Sequence, residues 1–93
     1  MIQIRIDGMQ IEISGHAEPV ICAAVSSIYN TIEACEPDAP VESGDGYRKI
    51  TLESPELCFF FRRGAEEIEK AYPDSVWLTI VNNSDSIIKG SEG

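Results

Sequence analysis

The first thirteen residues alternate isoleucine with polar residues around an Asp-Gly pair, and this pattern restricts the segment to a β-hairpin. Ile2, Ile4 and Ile6 fall at every second position, which is the period of a strand with one buried face. Asp7-Gly8 is a strong signal for a two-residue hairpin turn. The predicted cross-strand partners are Ile6 with Met9, Ile4 with Ile11 and Ile2 with Ile13. All six side chains then share one face, and register and hydrophobic pattern agree.

Two later segments have the apolar spacing of amphipathic helices. The first is predicted from Val20 to about Ala34, directly after Pro19, which suits a first helical turn. Its apolar stripe comprises Ile21, Ala24, Val25, Ile28 and Ile32, with Cys22, Ser26 and Tyr29 along the margin. The second helix is predicted to begin at the cap residue Ser54 and to end near Tyr72. Its stripe comprises Leu57, Phe60, Phe61, Gly64, Ala65, Ile68 and Ala71, and it leaves Phe59 outside.

A second hairpin and a final strand complete the pattern. Asp45-Gly46 predicts a turn that pairs Val41 with Ile50. Residues 75–81 alternate again, with Val76, Leu78 and Ile80 inward and Trp77 on the outer face. The resulting order is ββαββαβ, which predicts an α+β fold with two helices packed on one face of a mostly antiparallel five-stranded sheet. Residues 1–82 are predicted to form a single domain, and residues 83–93 a polar, loosely ordered tail.

The composition excludes several classes of function. A net charge of −9 argues against duplex nucleic acid as a partner. It suits a basic protein or peptide as partner, and the alternative is that it serves solubility alone. No stretch is long and apolar enough for a membrane span, and the N-terminus lacks the apolar run of a signal peptide, so we expect a cytoplasmic protein. Three cysteines without a CxxC pair and one histidine do not have the spacing of a metal site, so no metal is predicted.

The segment from Ser14 to Ser27, SGHAEPVICAAVSS, carries the candidate chemistry. It places the only histidine, His16, six residues before Cys22 at the start of the first predicted helix. The helix N-terminus favours a thiolate, and an adjacent imidazole could accept its proton. The backbone near Pro19 to Ala23 is the candidate oxyanion site, because the first helical turn has free N–H groups. The alternative is a surface histidine beside a small core cysteine. Cys35 and Cys58 have no histidine near them in the sequence.

Two motifs carry a resemblance to a known family. Gly15-His16-Ala17, followed by Val20 to Ser26 (VICAAVS) between a hairpin and a helix, resembles the ribosomal-processing cysteine protease family, Prp. The element order, the Asp45-Gly46 hairpin and the helix that runs into Ala71-Tyr72-Pro73 also fit, so the resemblance covers most of the chain. The segment between His16 and Cys22 is shorter than in typical members.

The resemblance implies a small cysteine endopeptidase that acts as a homodimer and needs no cofactor. His16 and Cys22 would be its catalytic dyad. The motif positions that would support substrate binding are Gly15, Ala17, Pro19, Ala23 and Ser26. Family members remove an N-terminal extension from ribosomal protein twenty-seven of the bacterial large subunit, and phage-type relatives process capsid precursors. The alternatives are a protease-fold module that binds a basic partner without cleaving it, and thiol redox sensing by Cys22.

Overall fold

The computed structural model of the chain describes residues 1–81. Residues 82–93, which include the predicted tail, lie outside the described residues. The elements are β1 (Ile2–Asp7), β2 (Gln10–Gly15), α1 (Pro19–Cys35), β3 (Val41–Gly44), β4 (Tyr47–Thr51), α2 (Pro55–Ala71) and β5 (Val76–Val81). The predicted ββαββαβ order is therefore confirmed. Neither of the two helices in residues 1–81 is long and apolar enough to cross a membrane.

The five strands form one sheet in the order β3-β4-β2-β1-β5. β1 pairs antiparallel with β2, β2 with β4, and β3 with β4. β5 joins the other side of β1 in parallel, with Ile2 beside Val76 and Ile6 beside Ile80. The parallel pair follows from connectivity, because α2 carries the chain back across the sheet before β5 begins. The mostly antiparallel sheet predicted from the sequence is confirmed.

The register of the first hairpin differs from the prediction by two residues. Ile6 pairs with Ile11, Ile4 with Ile13 and Ile2 with Gly15, so the turn residues are Gly8 and Met9. Gly8 has φ +63° at the first central position, where a hairpin turn of the II′ kind requires a positive φ. Asp7 stays in the strand opposite Gln10. The shift is even, so every isoleucine keeps its predicted face.

Both helices pack on the same face of this sheet. The core joins inward-facing strand residues to the buried side of each helix and comprises Ile2, Ile4, Ile6, Ile11, Ile50, Leu52, Val76, Ile21, Val25, Tyr29, Ile32, Phe61 and Ala65. The opposite face of the sheet presents exposed residues such as Arg5 and Trp77. The α+β architecture with its helices on one side is confirmed.

Three assignments to the helix stripes were wrong: those of Tyr29, Phe60 and Ala71, the last of which is exposed at the end of α2. Tyr29, predicted at the margin of the first helix, is 1% exposed, because the buried stripe of α1 runs through Ile21, Val25 and Tyr29 at four-residue spacing. Phe60, predicted in the core, is 44% exposed. α2 meets the core through Phe61 and Ala65, and the neighbouring position 60 points about 100° away from that direction.

Local signals placed the remaining elements correctly. The Ser54 side chain accepts a hydrogen bond from the Leu57 N–H at 3.3 Å, and Pro55 is the first residue of α2. The second hairpin pairs Val41 with Ile50, as predicted, and turns at Asp45-Gly46. This turn brings the β3–β4 hairpin beside the end of β2, where the Gly15 N–H donates to the Gly46 carbonyl at 3.0 Å.

Candidate active site

His16 and Cys22 lie on either side of the β2–α1 connection and line one open cavity of about 240 Å³. The cavity is formed between the N-terminal half of α1, the end of β2 and the β3–β4 hairpin. Its lining comprises Ile2, Ile13, Gly15, His16, Cys22, Val25, Ser26, Tyr29, Gly44, Gly46, Tyr47 and Arg48. The cavity therefore brings β4 and its turn, which are remote in the sequence, next to the Ser14 to Ser27 segment.

Cys22 is held by the peptide backbone that precedes its helix. Its Sγ atom lies 3.4 Å from the Ala17 nitrogen and 3.3 Å from the Ala17 oxygen. The thiol can donate to the Ala17 carbonyl, and a thiolate can accept from the Ala17 N–H. Cys22 is the fourth residue of α1, close to the positive end of the helix dipole. The side chain is half-buried at the wall of the cavity.

His16 is exposed and follows directly after β2. The Met1 backbone nitrogen donates to the His16 carbonyl at 2.6 Å, which fixes the backbone of this residue against the start of β1. Gly15 has φ +94°, and a Cβ at this position would overlap the Met1 carbonyl oxygen. Only glycine therefore fits between β1 and His16, because other residues meet both a backbone clash and an unfavourable φ.

The imidazole of His16 packs against the β3–β4 turn. A Cβ on Gly46 would lie 2.8 Å from His16 Nε2. Within residues 1–81 no hydrogen bond joins His16 to Cys22, whose Sγ bonds to the Ala17 peptide group instead. Catalytic hydrogen bonds are often long or absent in an enzyme without substrate, and they form in the complex.

The backbone donors near Cys22 are fewer than the sequence suggested. Pro19 has no N–H, and the N–H groups of Ile21 and Cys22 both donate to the Glu18 carbonyl, at 2.9 and 3.0 Å. The predicted set of oxyanion donors from Pro19 to Ala23 is therefore largely occupied by the helix itself. The Ala17 N–H, which lies outside the helix and faces Cys22 Sγ, is the donor nearest the sulfur.

The predicted supporting residues divide into two groups. Gly15 and Ser26 line the cavity with the dyad, and Ala17 contacts Cys22 through its backbone. Pro19 and Ala23 are exposed and are not among the residues that line the cavity. Pro19 starts α1, so its contribution is to the position of Cys22 along the helix rather than to the cavity wall.

Sequence reasoning missed Gly46, Tyr29 and Arg48 as parts of this cavity. The sequence assigned Gly46 to a hairpin turn and Tyr29 to the margin of the first helix, and neither assignment indicated a cavity. The Tyr29 hydroxyl is buried and has no hydrogen-bond partner among the described residues. Burial raises the pKa of Tyr29, the carboxylate of Glu33 adds to this effect, and the guanidinium of Arg48 opposes it. No local pattern identifies these residues, since β4 and α1 meet only in the folded chain.

The other two cysteines lie away from His16. Cys35 is exposed at the last residue of α1. Cys58 is half-buried, and its sulfur lies 3.7 Å from Met9 Sδ. Burial raises the pKa of the Cys58 thiol, and the carboxylate of Glu36 raises it further. Among residues 1–81, no group of three His, Cys, Asp or Glu side chains is arranged so that it could hold a metal ion.

Several solved structures share this fold. Two are structures of the ribosomal processing protease Prp from S. aureus, each 15% identical to this chain. The one in complex with a substrate peptide has a TM-score of 0.74, and the one with a covalently linked product peptide has a TM-score of 0.69. Both alignments cover 86% of this chain and 99% of the other. A third neighbour, SMU.848 from Streptococcus mutans, is 23% identical over 87% of this chain and 94% of its own, with a TM-score of 0.63.

The likeness to Prp that the motifs suggested is therefore confirmed at the level of the fold. No family model matches the sequence, and no curated protein matches it. At these identities the shared architecture does not by itself carry an activity from one chain to the other.

Proposed function

We propose that this chain is a cysteine peptidase of the Prp type, with Cys22 as nucleophile and His16 as general base. The observation that carries the proposal is that both residues, which are the only histidine and a cysteine near a helix N-terminus, line one cavity. The cavity is open to solvent between α1 and the β3–β4 hairpin, so part of a peptide can enter it. The fold is that of a protease whose structures hold a peptide.

The chemistry follows from the roles of the two side chains. His16 removes the proton from the Cys22 thiol, and the thiolate attacks the carbonyl carbon of the scissile peptide bond. The tetrahedral intermediate collapses with loss of the amine, which takes the proton from His16, and a thioester to Cys22 Sγ remains. His16 then deprotonates a water molecule that hydrolyses the thioester and regenerates the thiol.

The oxyanion of the tetrahedral intermediate needs donors close to the sulfur, because the new C–S bond places the carbonyl oxygen there. The Ala17 N–H is 3.4 Å from Cys22 Sγ and does not belong to a helix. We assign it as one donor. Loss of a single donor of this kind costs roughly 10²–10³ in kcat in other hydrolases, so the conformation of the Ala17 peptide is decisive for the rate.

The same proposal extends to the substrate and assembly. By its likeness to Prp, the substrate is a protein segment near the N-terminus of a ribosomal precursor, or a capsid precursor in a phage setting. A net charge of −9 favours a substrate that is basic as a whole. The homodimer and the cytoplasmic location that the resemblance implies belong to this proposal as well, and equilibrium sedimentation of the purified chain tests the former.

Cleavage of precursor proteins by single-cysteine variants tests the proposed activity. Cys22→Ala is expected to abolish cleavage of a ribosomal or capsid precursor without unfolding the domain. Cys35→Ala is the matched control, because Cys35 is the exposed cysteine at the other end of α1, and it should keep full activity. Cleavage that survives in the Cys22→Ala protein would refute the assignment.

A second candidate is a binding module that has kept the fold without the reaction. The observation in its favour is that Cys22 bonds to Ala17, and not to His16, in this structure. The pH dependence of Cys22 alkylation separates the two candidates, with Cys35 and Cys58 replaced by serine. An inflection that moves on His16→Ala supports the peptidase. An inflection indifferent to His16, together with partner binding that survives loss of both residues, supports the binding module.

A further inference from the structure

Arg48 differs from the other basic residues of the chain in its partners. The chain has seven lysines and arginines, and six of them lie in residues 1–81. Five of these six make ion pairs: Arg5, Lys49, Arg62, Arg63 and Lys70. Within the described part of the chain, Arg48 is the one that pairs with no carboxylate, although acidic residues outnumber basic ones by 16 to 7.

Arg48 lies at the cavity that contains the candidate dyad. It is on β4, two residues before the buried Ile50, so both side chains point to the face that carries the helices. Its Cζ atom is 5.6 Å from the centre of the Tyr29 ring, and one of its terminal nitrogens donates to Asn30 Oδ1 at 3.1 Å. No aspartate or glutamate is among the described residues that line the cavity. Arg48 is also the one lysine or arginine among these lining residues, and the carboxylate with an effect on the pKa of its neighbour Tyr29 is that of Glu33, outside the lining.

We propose that Arg48 is a specificity-determining residue that binds an acidic side chain of a peptide in this cavity. The inference rests on the proposed peptidase function and adds a substrate requirement to it. It also refines the expectation from net charge: the substrate as a whole can be basic, while the residue that enters the cavity beside Arg48 carries a carboxylate.

The contacts of Arg48 are suited to this role. A guanidinium has five N–H donors in a planar fork that matches a carboxylate, and Asn30 uses one of them. Asn30 is neutral, and no carboxylate of residues 1–81 forms an ion pair with Arg48. The Tyr29 ring orients the guanidinium before a ligand arrives, which reduces the entropy lost on binding.

The competing explanation is that Arg48 only covers the Tyr29 ring. A covering role needs the length of the side chain but makes no difference between an anionic and a neutral ligand. The reactivity of Cys22 in the same cavity provides a readout that separates the two. Iodoacetate and iodoacetamide alkylate the same thiolate, and only the former carries a carboxylate.

The first experiment measures both alkylation rates of Cys22 in the full chain with Cys35→Ser and Cys58→Ser. Arg48→Gln is expected to lower the iodoacetate-to-iodoacetamide rate ratio by up to about fivefold, the upper end for an ion pair of an exposed arginine such as Arg48. Arg48→Lys should retain most of the ratio. Arg5→Gln is the matched control, because it changes the net charge equally on the outer face of the sheet, and it should leave the ratio unchanged. An unchanged ratio in Arg48→Gln overturns the inference.

Arg48→Met guards against a folding defect, because it keeps an unbranched side chain over the ring and removes the charge. Its circular dichroism spectrum and thermal midpoint report whether the fold is intact. A folded Arg48→Met protein should show the same reduced ratio as Arg48→Gln. A ratio equal to that of the parent protein in this variant contradicts the proposal even if Arg48→Gln does not fold.

The second experiment uses pairs of hexapeptides, acetylated and amidated at their ends, that differ only by Glu or Gln at one position. Each pair is tested for protection of Cys22 against iodoacetamide. At one position, the Glu peptide is expected to protect at about fivefold lower concentration, and Arg48→Gln should remove this preference. Equal protection at every position, or a preference that persists in Arg48→Gln, overturns the inference. Protection that requires a free C-terminal carboxylate overturns the side-chain assignment.

These readouts do not require turnover, so they distinguish failure of this inference from failure of the peptidase assignment. If the chain shows the Glu preference but cleaves no precursor, the subsite for an acidic side chain is supported and the proposed peptidase activity is refuted. If the chain cleaves precursors but shows no Glu preference, the peptidase assignment is supported and the subsite for an acidic side chain is refuted.

Discussion

Gly46 lies against the ring of His16, so closely that a Cβ at position 46 would be 2.8 Å from His16 Nε2. The contact joins the turn of the β3–β4 hairpin to the candidate general base. Gly46 lines the same cavity as His16 and Cys22. The turn therefore serves the position of the histidine as well as the hairpin.

We predict that Gly46→Ala displaces the His16 ring and lowers peptidase activity. Gly8→Ala is the matched control, because Gly8 also occupies a hairpin turn with φ +63° but has open space around its Cβ position. Both substitutions should cost about 1 kcal/mol of stability, since both force alanine into a positive φ. His16 is the only histidine, so its ring signals in an NMR spectrum are unambiguous. They should move in Gly46→Ala and stay in place in Gly8→Ala; identical spectra of the two variants would contradict the prediction.

Gly15→Ala should be considerably more destabilising than a substitution in an open turn. The new Cβ would overlap the Met1 carbonyl oxygen, which is backbone and cannot move aside without breaking the β1–β2 pairing. With φ +94° in addition, we expect a loss of roughly 2 kcal/mol or more. Urea unfolding measures it, with Gly44→Ala as control, because Gly44 has open space and no positive φ. Equal midpoints for the two variants would show that β1 yields to the side chain.

Tyr29→Phe is predicted to stabilise the protein. The Tyr29 hydroxyl is buried without a partner, and an unsatisfied buried hydroxyl costs about 1–3 kcal/mol. Phenylalanine keeps the ring beneath Arg48, so packing is unchanged. We expect a higher denaturation midpoint, corresponding to about 1 kcal/mol, whereas Tyr29→Ala should lose about 3–5 kcal/mol because it leaves a cavity. A lower midpoint for Tyr29→Phe would indicate that the hydroxyl has a favourable contact.

The Cys58 thiol is predicted to react with iodoacetamide only at higher pH in the folded chain than in the unfolded chain. Burial and then Glu36 raise the pKa of Cys58, so the thiolate fraction at a given pH is lower. Rates measured from pH 7 to 10 in the chain with Cys22→Ser and Cys35→Ser, folded and in concentrated urea, test this difference. An inflection at the same or a lower pH in the folded chain would contradict it.

The same pKa direction predicts how stability depends on pH. The pKa of Cys58 is higher in the folded than in the unfolded chain, so its contribution is complete below the unfolded value of about 8.5. This contribution to stability decreases as the pH rises from the unfolded to the folded pKa of Cys58, because the thiol of the unfolded chain releases its proton first. The unfolding free energy of the parent protein, relative to that of Cys58→Ala, should therefore decrease between pH 7 and 10. A constant difference would contradict the assignment.

The sequence by itself determined the elements of this protein and the faces of its strands. Isoleucines at every second position, the Ser54-Pro55 cap and the Asp45-Gly46 turn are local signals, and each predicted its element with small errors at the ends. The Gly15-His16-Ala17 and Cys22 to Ser26 motifs lie on either side of one short connection, so sequence proximity alone brought them together. The segment that lines the cavity from α1 and β2 could be identified for this reason.

Only the tertiary structure decided three features. They are the register of the first hairpin, the order of the strands in the sheet, and the residues from β4 and its turn that line the cavity. A shift of two residues keeps every side chain on its face, so the hydrophobic pattern could not distinguish Ile6 opposite Met9 from Ile6 opposite Ile11. The place of β5 beside β1 depends on a crossover that no local residue specifies. Gly46 reaches His16, and Arg48 reaches Tyr29, because β4 pairs with β2. Such long-range pairing leaves no periodic signal in the sequence.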